Sequence, residues 1–384
     1  MRICHAFNMA NDAFATCKGL RKIHIDADLV IQRPSHVASL PQWEDGEVDL
    51  ATLGDPFNPN WDAFHWTVPH WIHIWDTRKG KLPFSRTISL FRLLASLREY
   101  DLVVGHCPFA AFADAYSLLW RRPYVLYDAG WIRYLHKNWT GHRQARRAYD
   151  QTKMIFFTNV DTIDLFRRWG WGDKISYTPF AIDTEKYAPL PSGSHSLNAS
   201  SDGPVFLHPT RQAWSEKGND KLFEAFTRYV RGRQPNAQLR AIAWGPDLPQ
   251  TRRLVSAAGI ERNVVWLPLM PKRDLIKEYH RADAVFDQFN LGAYGTTAPE
   301  AMSIGKPVCM YANSDHFKKC HNEKTPPVLN ARTSEEIFNA FVVLEQDETK
   351  RRLGELARQW ILDEHDSRKV ASQHLQAYNE IIGA

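Results

Sequence analysis

Two segments of this chain carry charged and hydroxyl side chains at spacings that suit a phosphate group. In the first, Arg211 and Lys217 stand six positions apart, between an apolar run and a predicted helix. Arginine can bind phosphate oxygens with two parallel N–H groups, and lysine adds a compact charge. Fixed positive charges of this kind stabilise a leaving group that gains negative charge. Taken alone, one arginine and one lysine in a loop are usually solvated, so these two residues by themselves only offer a candidate phosphate site.

The second segment, Asn290 to Val308, is typical of a glycine-containing loop, a short helix and a turn into a buried strand. Gly295 would let the backbone approach a ligand closely. The amides of Thr296 and Thr297 would lie at the helix N-terminus, where free N–H groups bind phosphate. The Glu300 carboxylate follows one turn later and can accept hydrogen bonds from hydroxyls, or simply complement the helix dipole. A diphosphate that carries a sugar would satisfy this arrangement.

Both segments resemble the nucleotide-sugar site of the GT-B glycosyltransferases, most closely the large retaining family called GT4, or glycosyl transferases group 1. Arg211 and Lys217 have the spacing of that family's diphosphate-binding pair, and Tyr294-Gly295 and Glu300-Ala301-Met302 match its second motif. Gly292 stands where the family usually has a first glutamate. The resemblance implies that Arg211 and Lys217 bind the donor diphosphate during catalysis, and that Glu300 binds the ribose hydroxyls. The departure at Gly292 leaves the sugar open.

The same resemblance extends to a strand in the N-terminal half, Tyr124–Tyr127, which ends in a polar turn. Asp128 lies where relatives often have a histidine that faces the donor sugar. Its carboxylate could stabilise an oxocarbenium-like centre or cap the turn, and both interpretations stay open. Arg133 matches an arginine that some relatives have after this turn. The further residues predicted to line the cleft are Asn11, His106, Arg133, Asn290 and Tyr294.

Short apolar runs alternate with amphipathic stretches in the C-terminal half. The predicted strands there are Val205–His208, Leu239–Trp244, Val264–Leu267, Ala284–Phe289 and Pro307–Tyr311. The predicted helices include Asp220–Arg231 and Lys272–Arg281. This alternation predicts a parallel sheet covered by helices. Ligands bind such sheets beyond the carboxyl ends of the strands, where both candidate segments begin.

The N-terminal half shows the same alternation less clearly. Its predicted strands are Arg2–His5, Ala27–Ile31, Leu102–Gly105, Tyr124–Tyr127 and Met154–Thr158. The stretch Ser85–Tyr100 predicts a helix with a wide apolar face and with Arg92 and Arg98 outside that face. Burial against the sheet is the favoured explanation of the apolar face, and contact with a membrane surface is the alternative.

The organisation of the chain follows from its length of 384 residues and from one composition break, Leu190–Gly203, which is rich in Ser, Gly and Asn. A chain of this length suggests two domains. The resemblance implies the GT-B fold, an α/β architecture of two Rossmann-like parallel-sheet domains facing across a cleft. The predicted parts are an N-terminal domain at 1–190, a nucleotide-sugar-binding domain at 204–368 and a final helix at 369–384 that packs on the first domain.

Five tryptophans and three histidines crowd the segment from Trp43 to Trp75. Aromatic rings can stack on sugars, so an acceptor platform is one interpretation. A loop insertion that uses tryptophan as core and anchor is the favoured one. The histidines lack a third ligand at a suitable spacing, so no metal site is predicted.

Composition narrows the class of protein further. The formal net charge of +5 suits an anionic donor, and also an anionic membrane surface, but falls far short of a nucleic-acid footprint. The first residues begin directly in a strand-like segment rather than a signal peptide. Five scattered cysteines then favour reduced thiols. We therefore expect a cytoplasmic protein, with peripheral association at the inner face of the membrane as an option, and no tightly bound cofactor.

The expected function is transfer of a sugar, with retention, from a UDP- or GDP-sugar to a glycan or lipid-linked acceptor, in surface polysaccharide or glycoconjugate synthesis. A degenerate GT-B protein that binds a nucleotide sugar without transfer is one alternative. A nucleotide-sugar isomerase or hydrolase is another. A third is a metal-dependent GT-A transferase, for which Asp26-Ala27-Asp28 offers the required string.

Overall fold

The computed structural model describes residues 1–33, 35–76, 85–137, 142–191 and 203–383. Most of the predicted linker, residues 192–202, lies outside these ranges. The described chain divides into two compact units. Residues 1–181 and 366–384 form the N-terminal unit, and residues 182–365 form the C-terminal unit. Residues 182–190, which the prediction assigned to the N-terminal domain, thus belong to the C-terminal unit.

The N-terminal unit is built on a seven-stranded sheet. The strands within the described part of this unit are β1 (Arg2–Ala6), β2 (Asp26–Arg33), β3 (Glu47–Val48), β4 (Phe64–His65), β5 (Ile72–Asp76), β6 (Leu102–His106), β7 (Tyr124–Asp128), β8 (Ile155–Phe157) and β9 (Ile175–Tyr177). Of these, β3 and β4 form a separate antiparallel pair. The order in the sheet is β5-β2-β1-β6-β7-β8-β9, with every pair parallel.

Helices connect these strands, as parallel pairing requires. They are α1 (Asp12–Lys22), α2 (Pro41–Asp45), α3 (Ser85–Ser96), α4 (Ala110–Trp120), α5 (Ile132–Lys137), α6 (Arg143–Gln151) and α7 (Ile163–Arg168).

The C-terminal unit contains a second parallel sheet. Its strands are β10 (Val205–His208), β11 (Gln238–Ile242), β12 (Val264–Leu267), β13 (Ala284–Phe286), β14 (Val308–Met310) and β15 (Leu329–Asn330). Their order is β12-β11-β10-β13-β14-β15. The strands β10 and β13 are therefore neighbours, and their carboxyl ends meet at one edge of the sheet.

The helices of the C-terminal unit alternate with its strands. They are α8 (Trp214–Lys217), α9 (Asn219–Gly232), α10 (Leu248–Ala257), α11 (Lys272–Arg281), α12 (Thr297–Ser303), α13 (Ser314–Cys320), α14 (Ser334–Val343) and α15 (Asp347–Glu364). The capping box before α14 is present as the sequence indicates, with the Thr333 hydroxyl accepting from the Glu336 amide and the Glu336 carboxylate accepting in return. Among the described residues no helix is both long and apolar enough to cross a membrane.

The last helix, α16 (Ser367–Gly383), packs on α1 of the N-terminal unit. Gly19 makes this possible, because a Cβ at that position would come within 2.5 Å of the Ser367 carbonyl oxygen. His374 and Tyr378 are buried on the inner face of α16. The end of the chain is thereby part of the N-terminal core.

The apolar face of α3 is only partly buried, contrary to the favoured explanation of its pattern. Leu94 and Leu97 lie in the core, whereas the Ile88 and Phe91 side chains are 51% and 61% exposed. The helix is held at its C-terminal end, where the Trp120 indole donates to the Leu94 carbonyl at 2.9 Å. Leu94 and Leu97 are therefore covered, whereas Ile88 and Phe91 are not.

The tryptophan-rich segment contributes to the core and includes a strand that the loop prediction missed. Trp71 stacks on Phe14 with ring centroids 5.7 Å apart, and the edge strand β5 begins directly after it. Trp66 packs edge-on against the same phenylalanine, at 6.2 Å. Anchoring in the core thus accounts for the aromatic residues that surround β5.

Candidate functional site

The loop after β10 presents the two predicted phosphate ligands. Arg211 follows the strand closely, and Lys217 ends the single turn α8. Gly218 then adopts a left-handed conformation, with φ of +68°. A side chain there would be strained and would also approach Phe289 and Asn290 to 3.1 Å. The loop therefore depends on glycine to reverse direction directly after Lys217.

A buried polar clamp fixes both ends of this loop. The Asn219 amide group contacts His208 Nε2 at 2.7 Å, while its oxygen accepts from the Ala213 amide at 2.8 Å. His208 Nδ1 contacts the Phe286 carbonyl at 2.8 Å, so the ring carries its proton on Nδ1 and accepts from Asn219 on Nε2. Burial lowers the pKa of His208 to about 4, which keeps the ring neutral. The clamp thus joins β10, α9 and β13.

The loop after β13 supports the phosphate-binding loop from the other side. The Phe289 amide donates to the Lys217 carbonyl at 2.8 Å. The Asn290 side chain donates to the Trp214 and Ser215 carbonyls and accepts from Lys221 at 2.5 Å. Asn290 was predicted to line the cleft, but its side-chain nitrogen holds α8 and its side-chain oxygen holds Lys221 of α9.

Arg211 is paired within its own loop. Its guanidinium forms an ion pair with Glu216, and both side chains remain partly exposed. Exposed ion pairs of this kind contribute little to stability, so an anionic ligand can compete for the guanidinium at low cost. Lys217 follows Glu216 in the chain, and its side chain is half-buried.

The start of α12 leaves room beside Gly295. No atom of the described residues lies within 4 Å of a Cβ built at that position, and its φ is not positive. Thr296 precedes the helix and Thr297 is its first residue, and the Thr296 side chain makes no capping hydrogen bond. Gly295 is therefore not required by backbone conformation, and the space beside it is open.

Glu300 lies in α12 and is 3% exposed, with both carboxylate oxygens engaged. Lys272 Nζ lies 2.5 Å from Oε1, and the Tyr279 hydroxyl donates to Oε2 at 3.0 Å. The sequence predicted an acceptor for ligand hydroxyls. In the structure the carboxylate is the centre of a buried Lys–Glu–Tyr group, and further hydrogen bonds would have to use its remaining lone pairs.

Gly292 occupies the place of the missing glutamate and has no room for a side chain. Its φ is +71°, and a Cβ would lie 2.9 Å from Tyr311 and 3.0 Å from Asn313. The neighbouring Tyr294, predicted to line the cleft, is buried with its hydroxyl 2.7 Å from His365 Nε2. A glutamate at position 292 is therefore opposed both by the left-handed backbone and by the nearby Tyr311 and Asn313.

In the N-terminal unit, Asp128 ends β7 and is fully buried. Oδ1 accepts from the Gly130 amide at 2.6 Å. Oδ2 accepts from the Ile132 amide at 3.1 Å and from the Tyr149 hydroxyl at 2.5 Å. Burial raises the pKa of this carboxyl, against the lowering effect of those donors. These contacts are those of a turn cap, one of the two interpretations that the sequence left open.

The other predicted residues of this unit are also engaged. Arg133 forms a two-point ion pair with Asp161, with its Nε 2.8 Å from Oδ2. His106 Nε2 lies 3.0 Å from His5 Nδ1 in the core. Asn11 precedes α1 with φ of +62° and donates to the Leu40 carbonyl at 3.0 Å. The structure thus places Asp128, Arg133, His106 and Asn11 in supporting contacts within the N-terminal unit, and Asp128 and Arg133 share Gly130 as a partner.

The Asp26-Ala27-Asp28 string does not form a metal-binding group. It lies in β2, where Arg21 contacts Asp26 at 3.0 Å and Asp28 at 2.9 Å. Although burial raises the pKa of Asp28, hydrogen bonds from His73, Tyr100 and Arg21 hold it at about 2. Because these carboxylates pair with arginine, the string gives no support to the metal-dependent GT-A alternative.

Sequence reasoning missed several residues that shape the site. His208 and Asn219 flank the phosphate-binding loop and were assigned no role, and Lys272, Tyr279 and Asp287 were not singled out. His208 and Asp287 carried a usable signal, because polar residues at the ends of apolar strands mark the ligand-binding edge of a parallel sheet. Lys272 and Tyr279 gave none, since their partner Glu300 lies on a different helix.

The C-terminal unit also carries the sequence match to known proteins. Residues 195–360 match the family described as glycosyl transferases group 1, and that segment contains both loops of the candidate site. YqgM of Bacillus subtilis, an uncharacterized glycosyltransferase, is 24% identical over 170 residues, which cover 44% of this chain and 46% of that protein.

A second curated relative has a named activity. The GDP-mannose-dependent alpha-(1-6)-phosphatidylinositol monomannoside mannosyltransferase of Mycolicibacterium smegmatis is 25% identical over 231 residues, which cover 57% of this chain and 60% of that protein. The chain thus spans about half the length of the curated relatives it matches.

Solved structures define the fold over the whole chain. Alr3699/HepE of Anabaena in complex with UDP-glucose superposes with a TM-score of 0.73 at 15% identity, covering 99% of this chain and 100% of that one. Sucrose-phosphate synthase of Thermosynechococcus elongatus gives 0.67 at 15% identity, covering 100% of both. The predicted GT-B fold, with two parallel-sheet α/β domains, is confirmed. The match to the group 1 family is confined to residues 195–360.

Proposed function

We propose that this protein is a retaining glycosyltransferase of the GT4 type that moves a sugar from a nucleotide-sugar donor to a glycan or lipid-linked acceptor. Assembly of a surface polysaccharide or glycoconjugate is the process that we assign to it. The observation that carries the proposal is the loop with Arg211 and Lys217, which His208, Asn219 and Asn290 hold at the carboxyl edge of the sheet.

This geometry suits the chemistry of a diphosphate leaving group. Loss of the sugar leaves additional negative charge on the diphosphate, and preorganised cations stabilise that charge without reorganisation. Arg211 would exchange Glu216 for phosphate oxygens, and Lys217 would supply a second charge. Gly295, Thr296 and Thr297 border the open space where the donor would continue. In this proposal the protein's own cations handle the charge, so transfer requires no metal ion.

The donor that we propose is a UDP- or GDP-sugar. Support comes from the UDP-glucose bound to the Anabaena protein and from the GDP-mannose in the name of the mycobacterial relative. Glu300 would accept from the ribose hydroxyls in addition to its contacts with Lys272 and Tyr279. We expect the reaction to take place in the cytoplasm, with an acceptor that is free or anchored at the inner face of the membrane.

One alternative is favoured by a specific observation. Gly292 lacks the carboxylate usual at its position and cannot gain it without a clash with Tyr311, and Asp128 is enclosed in its turn. A protein that binds a nucleotide sugar without transferring it would have such a site. Assays of donor transfer and donor hydrolysis distinguish a glycosyltransferase from a protein that only binds the donor, because only the enzyme turns the donor over.

The first experiment is thermal unfolding with UDP, GDP, ADP and CDP, without metal and then with EDTA. A ligand that binds the native state raises the unfolding temperature. We expect one nucleotide to do so selectively, equally with EDTA, and not in Arg211→Ala. The matching nucleotide sugar is then tested for turnover. Absence of a shift with every nucleotide would contradict the proposed site, and binding without turnover would favour the nontransferring alternative.

A further inference from the structure

A buried carboxylate lies directly behind the phosphate-binding loop. Asp287 is the first residue after β13 and is 1% exposed. Its Oδ1 accepts from the Thr210 hydroxyl at 3.0 Å. Its Oδ2 is buried without a hydrogen-bond partner among the residues that the structure describes. A carboxylate in this condition is costly, so its presence needs an explanation.

The surroundings of Asp287 are those of the candidate phosphate site. Thr210, its donor, immediately precedes Arg211 in the loop after β10. Two residues after Asp287, the Phe289 amide binds the Lys217 carbonyl at 2.8 Å. The side chain of Asp287 and the backbone beyond it thus hold the two ends of the segment that carries both cations.

Electrostatics links Asp287 to Lys217 in particular. Burial raises the pKa of this carboxyl, and the Lys217 ammonium is the strongest of the influences that lower it, ahead of the Thr210 hydroxyl and the Ala298 amide. The favourable interaction is mutual, because an ammonium that stabilises a carboxylate is attracted to it equally. A half-buried lysine with four rotatable bonds gains a preferred direction from such an anion.

We propose that Asp287 is a positioning residue that directs the Lys217 ammonium toward the donor diphosphate. The proposal rests on the proposed function, since it assigns a role within that site. Asp287 itself contacts no phosphate. It acts by fixing the Thr210 hydroxyl and by restricting Lys217 to the conformations in which the ammonium stays beside the loop. Asp287 therefore does not replace the glutamate that relatives carry at the position of Gly292.

A double-mutant cycle on nucleotide affinity tests this role. Dissociation constants for the nucleoside diphosphate that stabilises the native protein are measured for wild type, Asp287→Asn, Lys217→Ala and the double variant. Asparagine keeps the shape and can still accept from Thr210, but has no charge. We expect Asp287→Asn to weaken binding about tenfold in the wild type and by less than about twofold when Lys217 is already absent. Equal losses in both backgrounds would overturn the proposal.

Asp283→Asn is the matched control, because Asp283 lies just before β13, at the opposite end of the strand, and accepts from the Val205 amide at 2.8 Å. We expect unchanged nucleotide affinity in this variant. Should Asp287→Asn fail to fold, Thr210→Val keeps the carboxylate but removes its donor, and it enters the same cycle. Absence of nucleotide binding in the wild type would contradict the proposed function. If the wild type binds but Asp287→Asn weakens binding equally with and without Lys217, only the role of Asp287 is contradicted.

Discussion

At the scale of single residues, the partners of a charged side chain decide what it can do. Arg211 and Glu300 illustrate the difference. The arginine shares a partly exposed ion pair with Glu216, which a phosphate can displace. The glutamate is enclosed by Lys272 and Tyr279, and removing it from them would leave a partly buried ammonium without this carboxylate. Arg211 and Lys217 are therefore the residues on which the site hypothesis depends most directly.

Substitution of Lys217 by alanine tests that dependence. A hydrogen bond to a charged group contributes about 1.5–3 kcal/mol, so nucleoside diphosphate affinity should fall about ten- to hundredfold. Isothermal titration calorimetry measures the affinity. Lys277→Ala is the control, since its ammonium pairs with Asp274 on the exposed side of α11; equal affinity losses in both variants would contradict the assignment.

For Asp128 we predict an effect on stability rather than on ligand affinity. In Asp128→Asn, one acceptor oxygen becomes an NH₂ group, and either a backbone amide or the Tyr149 hydroxyl is left without its acceptor. A buried unsatisfied donor costs about 1–3 kcal/mol, so the free energy of unfolding in urea should fall by that amount. If stability were unchanged while turnover fell sharply, the catalytic interpretation of Asp128 would replace the turn cap.

At the scale of elements, the site consists of two loops that follow neighbouring strands. β10 and β13 pair in parallel, so the loops that begin at Pro209 and Asp287 leave the sheet at the same edge. Their cross-links are mainly backbone groups and amide side chains, such as the Phe289 amide and Asn290. The position of the two cations is thus a property of the strand order, which the connecting helices impose.

Gly292 gives the prediction at this scale. Gly292→Glu would restore the carboxylate that relatives carry, yet the left-handed backbone and the 2.9 Å approach to Tyr311 oppose any side chain. We expect a loss of about 1–3 kcal/mol in the free energy of unfolding and no gain in donor turnover. Gly295→Ala, which meets no atom within 4 Å, should leave stability nearly unchanged. A Gly292→Glu variant as stable as the wild type would show that the loop adapts.

At the scale of the whole molecule, histidines buried in the N-terminal unit connect the last helix to the sheet. His374 on α16 contacts the Thr178 hydroxyl at 2.7 Å and stacks on Phe156, and His5 and His106 lie together nearby. Burial lowers the pKa of His106 and of His374 to about 3, and lowers that of His5 as well. All three rings are therefore neutral in the folded state at neutral pH.

These pKa values predict acid sensitivity. Histidine in the unfolded chain titrates near 6.5, so between about pH 6.5 and pH 3 the unfolded state binds more protons than the folded state. Stability should be fully present above pH 6.5 and should fall steadily as the pH drops through that window. Urea midpoints at pH 7, 6, 5 and 4 measure it. His374→Gln should flatten the dependence, and a slope equal to that of the wild type would contradict the contribution of His374.

Many of the strands and helices, and the order of the candidate site residues along the chain, could be predicted from local sequence patterns. Apolar periodicity predicted Val205–His208, Val264–Leu267 and Lys272–Arg281 with the bounds that the structure has, because these patterns are local. The GT-B fold was predicted from a resemblance that also rests on local patterns. These are the spacing of Arg211 and Lys217 and the string from Tyr294 to Val308. Local patterns also placed both candidate loops at strand ends, where a parallel sheet binds ligands.

Which polar groups are already engaged by other residues became clear from the three-dimensional contacts and not from the sequence. Glu300 and Asn290 lie within predicted motifs, but Lys272 and Lys221, their partners, come from distant parts of the chain. The strand β5 went unrecognised because its aromatic surroundings resemble an insertion until Phe14 packs against them. Hydrogen-bond saturation and burial depend on contacts between residues far apart in sequence, and no local pattern encodes those contacts.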